Sequence, residues 1–214
     1  MKRIINLVVC IMLLFACVGQ SQAGLFQIDF TDASGSDSGW DMVGADVTGV
    51  ALTDVLGVDN DVTLSMTGYL GSNNPHGAGA TVVDGFDVPA SVNNDYMYGQ
   101  NYNTVIDVEI KNLDAGTYNV SLFAGRTSDS GQHGTLWVGA SGDQPGLTNT
   151  GNYANGSTTM ELTVAAGQSL WFTHHAGQDW TGGTSGMIIN PVPEPASMLL
   201  FGLGSLVVAR RRRR

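Results

Sequence analysis

The side chains best suited to chemistry in this sequence are aromatic. Trp40, Trp137, Trp171 and Trp180, with Tyr153, are the residues on which a sugar ring would stack, since each offers a broad apolar face and a polar handle. Trp137 and Trp171 fall in strand-like stretches and read as packing. Trp40 and Trp180 fall in loops rich in Gly, Ser and Asp, where packing alone explains a large ring poorly; these two are the candidate ligand-binding aromatics. Arg126 joins them as a candidate ligand contact. It follows a core-like strand among Asp129, Ser130 and His133, a setting that equally suits a structural ion pair or carbonyl clamp. Asp59, Asn60 and Asp61 are the candidate metal ligands, for Ca²⁺, a hard cation that takes oxygen donors. The segment lacks the Gly of an EF-hand and also reads as a turn with solvated acids.

Other chemistries find little support. The chain has no G-x-S-x-G, H-E-x-x-H, phosphate loop, G-x-G-x-x-G or C-x-x-C. His76 and His133 stand apart, and adjacent His174 and His175 would point to opposite faces of a strand, a poor chelating pair. The carboxylates are so numerous that no glycosidase pair stands out. No catalytic residue is assigned, and the chain reads as not an enzyme.

These side chains must be positioned by a β fold. Of 214 residues only 13% are charged and 29 are Gly, a composition that excludes coiled coils and Lys/Glu-rich bundles. Alternation predicts strands at Leu25–Phe30, Asp61–Leu70, Thr104–Lys111, Thr117–Ala124, Thr135–Val138, Ser157–Val164, Ser169–Thr173 and Met187–Ile189. Phe26, Ile28 and Phe30 form an inward set, with Leu25, Gln27 and Asp29 on the other side. Ile106, Val108 and Ile110 oppose Asp107, Glu109 and Lys111, which predicts a half-buried strand with a wet face. Asn112 to Gly116 is a turn. No repeat is visible, and the expected fold is an all-β antiparallel sandwich or jelly roll.

Charge divides the chain into three parts. Between Gly24 and Asn190 there are 18 acids and two bases, Lys111 and Arg126, a formal charge of −16. Such a body repels phosphate backbones, which excludes nucleic acid as a partner, and it suits a self-repelling, soluble surface. Residues 1–23 have Lys2 and Arg3, an apolar run, and Ser21-Gln22-Ala23, which predicts a secretory signal peptide cleaved by signal peptidase after Ala23. Leu14 to Cys17 offers a competing lipidation site, with Phe15 too bulky for it. Both cysteines, Cys10 and Cys17, lie in this segment, so the cleaved chain has no thiol or disulfide chemistry. At the other end, Pro193 and Pro195 enforce an extended stretch, Ala196 to Ala209 is apolar, and Arg210, Arg211, Arg212, Arg213 and Arg214 follow. A 14-residue helix reaches only about 21 Å against a hydrocarbon core of about 30 Å. Arginine snorkelling would narrow that gap, and the positive-inside rule holds the Arg cluster in the cytoplasm with the acidic body outside the inner membrane.

The arrangement Val192-Pro193-Glu194-Pro195, apolar helix, Arg210 to Arg214 resembles the PEP-CTERM sorting signal of Gram-negative bacteria. The resemblance covers the segment 191–214. It implies recognition by exosortase, an integral-membrane enzyme, with processing near the Pro-Glu-Pro motif and transient anchoring in the inner membrane. It also implies an exported surface or extracellular-matrix protein in a setting of exopolysaccharide and biofilm. A second resemblance rests on Ile110-Lys111-Asn112-Leu113-Asp114-Ala115-Gly116-Thr117-Tyr118 and the strand running on to Arg126. This stretch is similar to the central hairpin of galactose-binding-like jelly rolls, which supports the fold and says little about a sugar. The expected function is a noncatalytic, exosortase-sorted matrix protein associated with exopolysaccharide. The alternative is a dedicated carbohydrate-binding module with an aromatic or Ca²⁺-dependent site, and a secreted glycan hydrolase or lyase comes third.

Overall fold

The computed structural model describes residues 24–31, 37–57, 59–68, 71–73, 78–98, 105–125, 133–140, 148–150, 153, 156–175 and 183–193. Gly24–Val192 is one compact unit. It is built mainly from two sheets, and the fold is an antiparallel β-sandwich, as expected. The first sheet has the order β13 (Gly156–Val164), β10 (Gly116–Ala124), β16 (Gly186–Pro191), β1 (Phe26–Asp29) and β2 (Asp41–Met42). The second runs β12 (Thr148–Asn149), β11 (His133–Gly139), β14 (Ser169–His175), β9 (Val105–Lys111), β4 (Asp59–Thr67) and β3 (Val47–Thr53). A small sheet joins β15 (Gly183–Thr184), β8 (Tyr96–Tyr98) and β5 (Gly71–Asn73), and β6 (Thr81–Val83) pairs with β7 (Phe86–Val88). One short helix, α1 (Ala90–Asn94), is described.

The core follows from period-two alternation. In the five-stranded sheet Phe26 stands opposite Ile189 and Ile28 opposite Met187, with Val120 and Leu122 continuing the rows. In the six-stranded sheet Leu136, Phe172, Val108 and Met66 form one continuous row, with Ile106, Ile110, Leu64 and Leu170 on the same face. All of these side chains are buried. Burying a Leu, Ile or Phe stabilises by about 1.5–3 kcal/mol each, which makes this paired face the main source of stability.

Two features differ from the sequence reading. The stretch resembling a hairpin does not pair its own strands, because β9 lies in the six-stranded sheet and β10 in the five-stranded one. The link is an arch between the layers. Asn112 takes the left-handed conformation that turns the chain (φ 63), Leu113 is buried beneath it, and the Tyr118 hydroxyl donates to the Asp114 carbonyl at 2.7 Å.

The five-stranded sheet is also covered on its outer side. Phe123 and Ile188 point away from the main core and are buried by Trp40, Val83, Val88 and Val92. The cover comes from the β6–β7 hairpin and α1. That hairpin turns at Asp84-Gly85 with φ of 49 and 83, a primed two-residue turn that Asp-Gly favours. Against this cover, β10 is followed by Gly125, where an added Cβ would meet the Asn93 carbonyl oxygen and lie 2.7 Å from the Ala78 Cβ. Only a glycine lets α1 sit this close.

Candidate functional site

Trp40 is not an exposed platform. Its indole is 7% exposed and packs edge-on against Phe123 with centroids 5.8 Å apart. The loop composition around it is polar, but the outer side of the five-stranded sheet needs an apolar lid, and this ring supplies part of it. What remains of Trp40 borders a cleft of about 380 Å³ with Asp41 and the turn Asp54 to Gly57. Burial pushes the Asp41 carboxyl up, opposed by the Thr53 N–H, which donates to Asp41 Oδ2 at 2.8 Å.

Asp59, Asn60 and Asp61, the candidate Ca²⁺ ligands, open strand β4. Asp61 is exposed, and its carbonyl accepts from Asn112 Nδ2 at 2.8 Å. Among the described residues no group of three or more His, Cys, Asp or Glu side chains forms a metal cage. Arg126, Trp180 and His76 lie outside the described residues, as do Ala23 with the signal segment, Cys17, Glu194, Pro195, the apolar tail helix and Arg210 to Arg214. Val192 and Pro193 are described: Val192 N–H still donates to the Thr117 carbonyl at 2.8 Å, which ties the start of the motif to β10.

The structure brings together two indoles expected to serve packing and an acid expected on a wet face. On the outer face of the six-stranded sheet, Trp137, Trp171, Glu109 and Ser65 stand in register across β11, β14, β9 and β4. The two indoles are stacked, 5.8 Å apart with planes 2° from parallel. Trp137 is buried and Trp171 half-buried, with the Trp171 Nε1 inside and without a hydrogen-bond partner. Glu109, expected on a wet face, is 7% exposed and held at both oxygens. Ser169 Oγ donates to Oε1 at 3.0 Å and Lys111 Nζ lies 3.1 Å from Oε2. In the next row Thr173 Oγ1 donates to Asp107 Oδ1 at 2.7 Å. Each polar group is oriented by its cross-strand neighbour, giving carboxylates, hydroxyls and one ammonium beside an aromatic surface. That combination can stack on a sugar's apolar face and pair with its hydroxyls. The clue in the sequence was the alternation itself, which puts Trp171 and Glu109 on outward positions of their strands.

A second polar line runs through the interior. Tyr153 Oη and Thr184 Oγ1 are 2.7 Å apart, and Thr184 Oγ1 lies 3.2 Å from His174 Nδ1. His174 is fully buried on the core face of β14. Burial raises the Tyr153 phenol pKa well beyond its ordinary value. This line pairs Tyr153, Thr184 and His174 Nδ1 in the interior.

Among solved structures the chain is similar to protein YXIM of Bacillus subtilis, at 20% identity over 78% of this chain and 40% of that one, with a TM-score of 0.38. A family 35 carbohydrate binding module from an environmental isolate shows 16% identity over 60% of this chain and 93% of its own, with a TM-score of 0.36. An exo-β-1,3-galactanase of Phanerochaete chrysosporium shows 13% identity over 55% and 26%, with a TM-score of 0.34. This chain thus spans less than half the length of the first and third of these. No curated protein matches it. The last 24 residues do match a described family: 191–214 are a PEP-CTERM protein-sorting motif.

Proposed function

We propose that this chain is an exported, noncatalytic protein of the cell surface or extracellular matrix whose body associates with exopolysaccharide. The sorting motif supports export, transient anchoring in the inner membrane and processing by exosortase. The observation that carries the polysaccharide reading is the outer row of the six-stranded sheet, where half-exposed Trp171 adjoins Glu109, Lys111, Asp107 and Thr173. A row of pre-oriented polar groups beside an indole suits a glycan, whose hydroxyls and apolar ring face both find partners there. The strongly acidic body suits a neutral or cation-bridged polymer and opposes nucleic acid.

The test is co-sedimentation of the body, residues 24–192, with the host's extracellular polysaccharide and with a panel of insoluble glycans. The body is a compact unit with its own core, which makes it suitable for this assay. Saturable binding that weakens about tenfold in Trp171→Ala is expected, since a ring stack is worth roughly 1–1.5 kcal/mol. Binding unchanged in that variant would move the glycan off this face. No binding to any glycan would end the polysaccharide reading. Saturable binding of one defined oligosaccharide would instead identify a dedicated carbohydrate-binding module.

A further inference from the structure

Two carboxyl groups are shut away from water together beneath the cover of the five-stranded sheet. Asp29 ends β1 on that sheet's outer side, and Asp95 follows α1 and leads into β8. They are 2% and 3% exposed. Asp95 Oδ2 accepts from Thr31 Oγ1 at 2.9 Å, but Asp95 Oδ1 and Asp29 Oδ1 are buried without any hydrogen-bond partner. The backbone holds both in place. The Asp29 carbonyl accepts from Val43 N–H at 2.8 Å, Phe30 N–H donates to Ser185 O at 2.9 Å, and Asp29 stands opposite Gly186 in the ladder. Asp37 adds a third acid nearby, accepting from Ser91 Oγ.

Among the described residues the single Lys or Arg is Lys111, already engaged with Glu109 on the other sheet. Burial, then the charges of Asp95 and Asp37, push the Asp29 carboxyl up to about 8. Two buried acids with orphaned oxygens cannot both ionise without strong repulsion, and leaving such groups unsatisfied is among the costliest arrangements in a protein. A bound positive ion removes both penalties. The donors at hand are all oxygens, with neither thiolate nor imidazole among them, which selects a hard cation. Carboxylates with a neighbouring hydroxyl suit the irregular six to eight oxygens of Ca²⁺ better than the strict octahedron of Mg²⁺.

We propose that Asp29 and Asp95 form a Ca²⁺-type cation site, with the Thr31 hydroxyl beside it, that pins the α1 cover to the first strand of the sandwich. The site stands apart from the glycan face on the other sheet and is independent of that reading.

The experiment uses the full chain, purified in mild detergent, stripped with chelator and heated at pH 7.5 with added Ca²⁺ or Mg²⁺. No glycan is present, so the result does not depend on the polysaccharide proposal. At a hundredfold excess of Ca²⁺ over its dissociation constant, a rise in Tm of roughly 5–10 °C is expected, with Mg²⁺ giving less. Asp29→Asn and Asp95→Asn are expected to abolish the rise, while in chelator they melt at or above the parent, because the repulsion is gone. Asp61→Asn, on the exposed start of β4, keeps the full rise. Equilibrium dialysis of the unmutated chain against Ca²⁺ gives a reading that needs no variant to fold. The proposal is overturned by absence of bound Ca²⁺ in dialysis, by a Tm indifferent to Ca²⁺, or by a rise that survives the Asp29→Asn, Asp95→Asn double substitution.

Discussion

Gly125→Ala tests how the outer cover is held. The new methyl would collide with the Asn93 carbonyl oxygen and sit 2.7 Å from both Asn93 Oδ1 and the Ala78 Cβ. The first obstacle is backbone and cannot rotate aside. Asn93 is further tied by Nδ2 donating to the Gly79 carbonyl at 2.7 Å, and Gly125 N–H donates to Ser185 Oγ at 3.1 Å. Relief therefore means lifting α1, and Val92 with it, from the Trp40–Phe123 cluster. Overpacking of this kind costs about 1–3 kcal/mol and a lost hydrogen bond about 1 kcal/mol, giving roughly 3 kcal/mol together. For a domain of this size that is a fall in Tm of about 6–12 °C. Gly79→Ala is the matched control: nothing lies within 4 Å of its Cβ, and it should gain about 0.4–1 kcal/mol from the stiffer unfolded chain. Urea unfolding of both variants, followed by Trp fluorescence, is the assay. A Gly125→Ala midpoint within about 0.5 kcal/mol of the parent would refute the close-approach argument. Because Asp95 follows α1 directly, the same variant should also lose part of its Ca²⁺ response.

Other outcomes follow from the same geometry. Burial and then the Asp114 charge raise the Tyr118 phenol from 10.0 to about 12, so the unfolded chain ionises first and stability is lost as pH rises between those values. Tyr118→Phe should flatten that decline, and an equally steep decline in the variant would assign it elsewhere. Thr173→Val removes the donor to Asp107 Oδ1 on the proposed glycan face; glycan binding should fall a few-fold while stability falls by about 1 kcal/mol or less. Intact mass of the exported protein should show a chain starting at Gly24 and ending near Val192 to Pro195, and retention of Arg210 to Arg214 would contradict processing at the motif.

The long strands were legible because their alternation is clean: Val105–Lys111 and Gly116–Ala124 bury the residues that the pattern put inside. β3 was missed because two register shifts against β4 break its alternation, and several two- and three-residue strands are too short to carry any period. The β6–β7 hairpin was missed as well, although Asp84-Gly85 between apolar residues marks such a turn. Alternation alone treats the far side of a strand as wet. Asp29 was misjudged for that reason and Trp40 because its loop is polar in composition; a hairpin and helix far away in sequence close over both. The sorting motif, by contrast, is written in consecutive residues and needs no fold to be read.

The position of β16 bears on how the molecule comes into being. This strand, residues 186–191, lies between β10 and β1 and pairs with both. The middle of the sheet is therefore the last piece of the body to leave a ribosome or a translocation pore. Until it arrives, β1 has only the two-residue parallel contact with β2, and β10 keeps one edge bare. Such distant pairing makes for slow closure. The sorting motif begins as this strand ends, so the strand that completes the sheet is the last one before the motif. An exported copy severed before residue 186 would remain an open, sticky half-sheet.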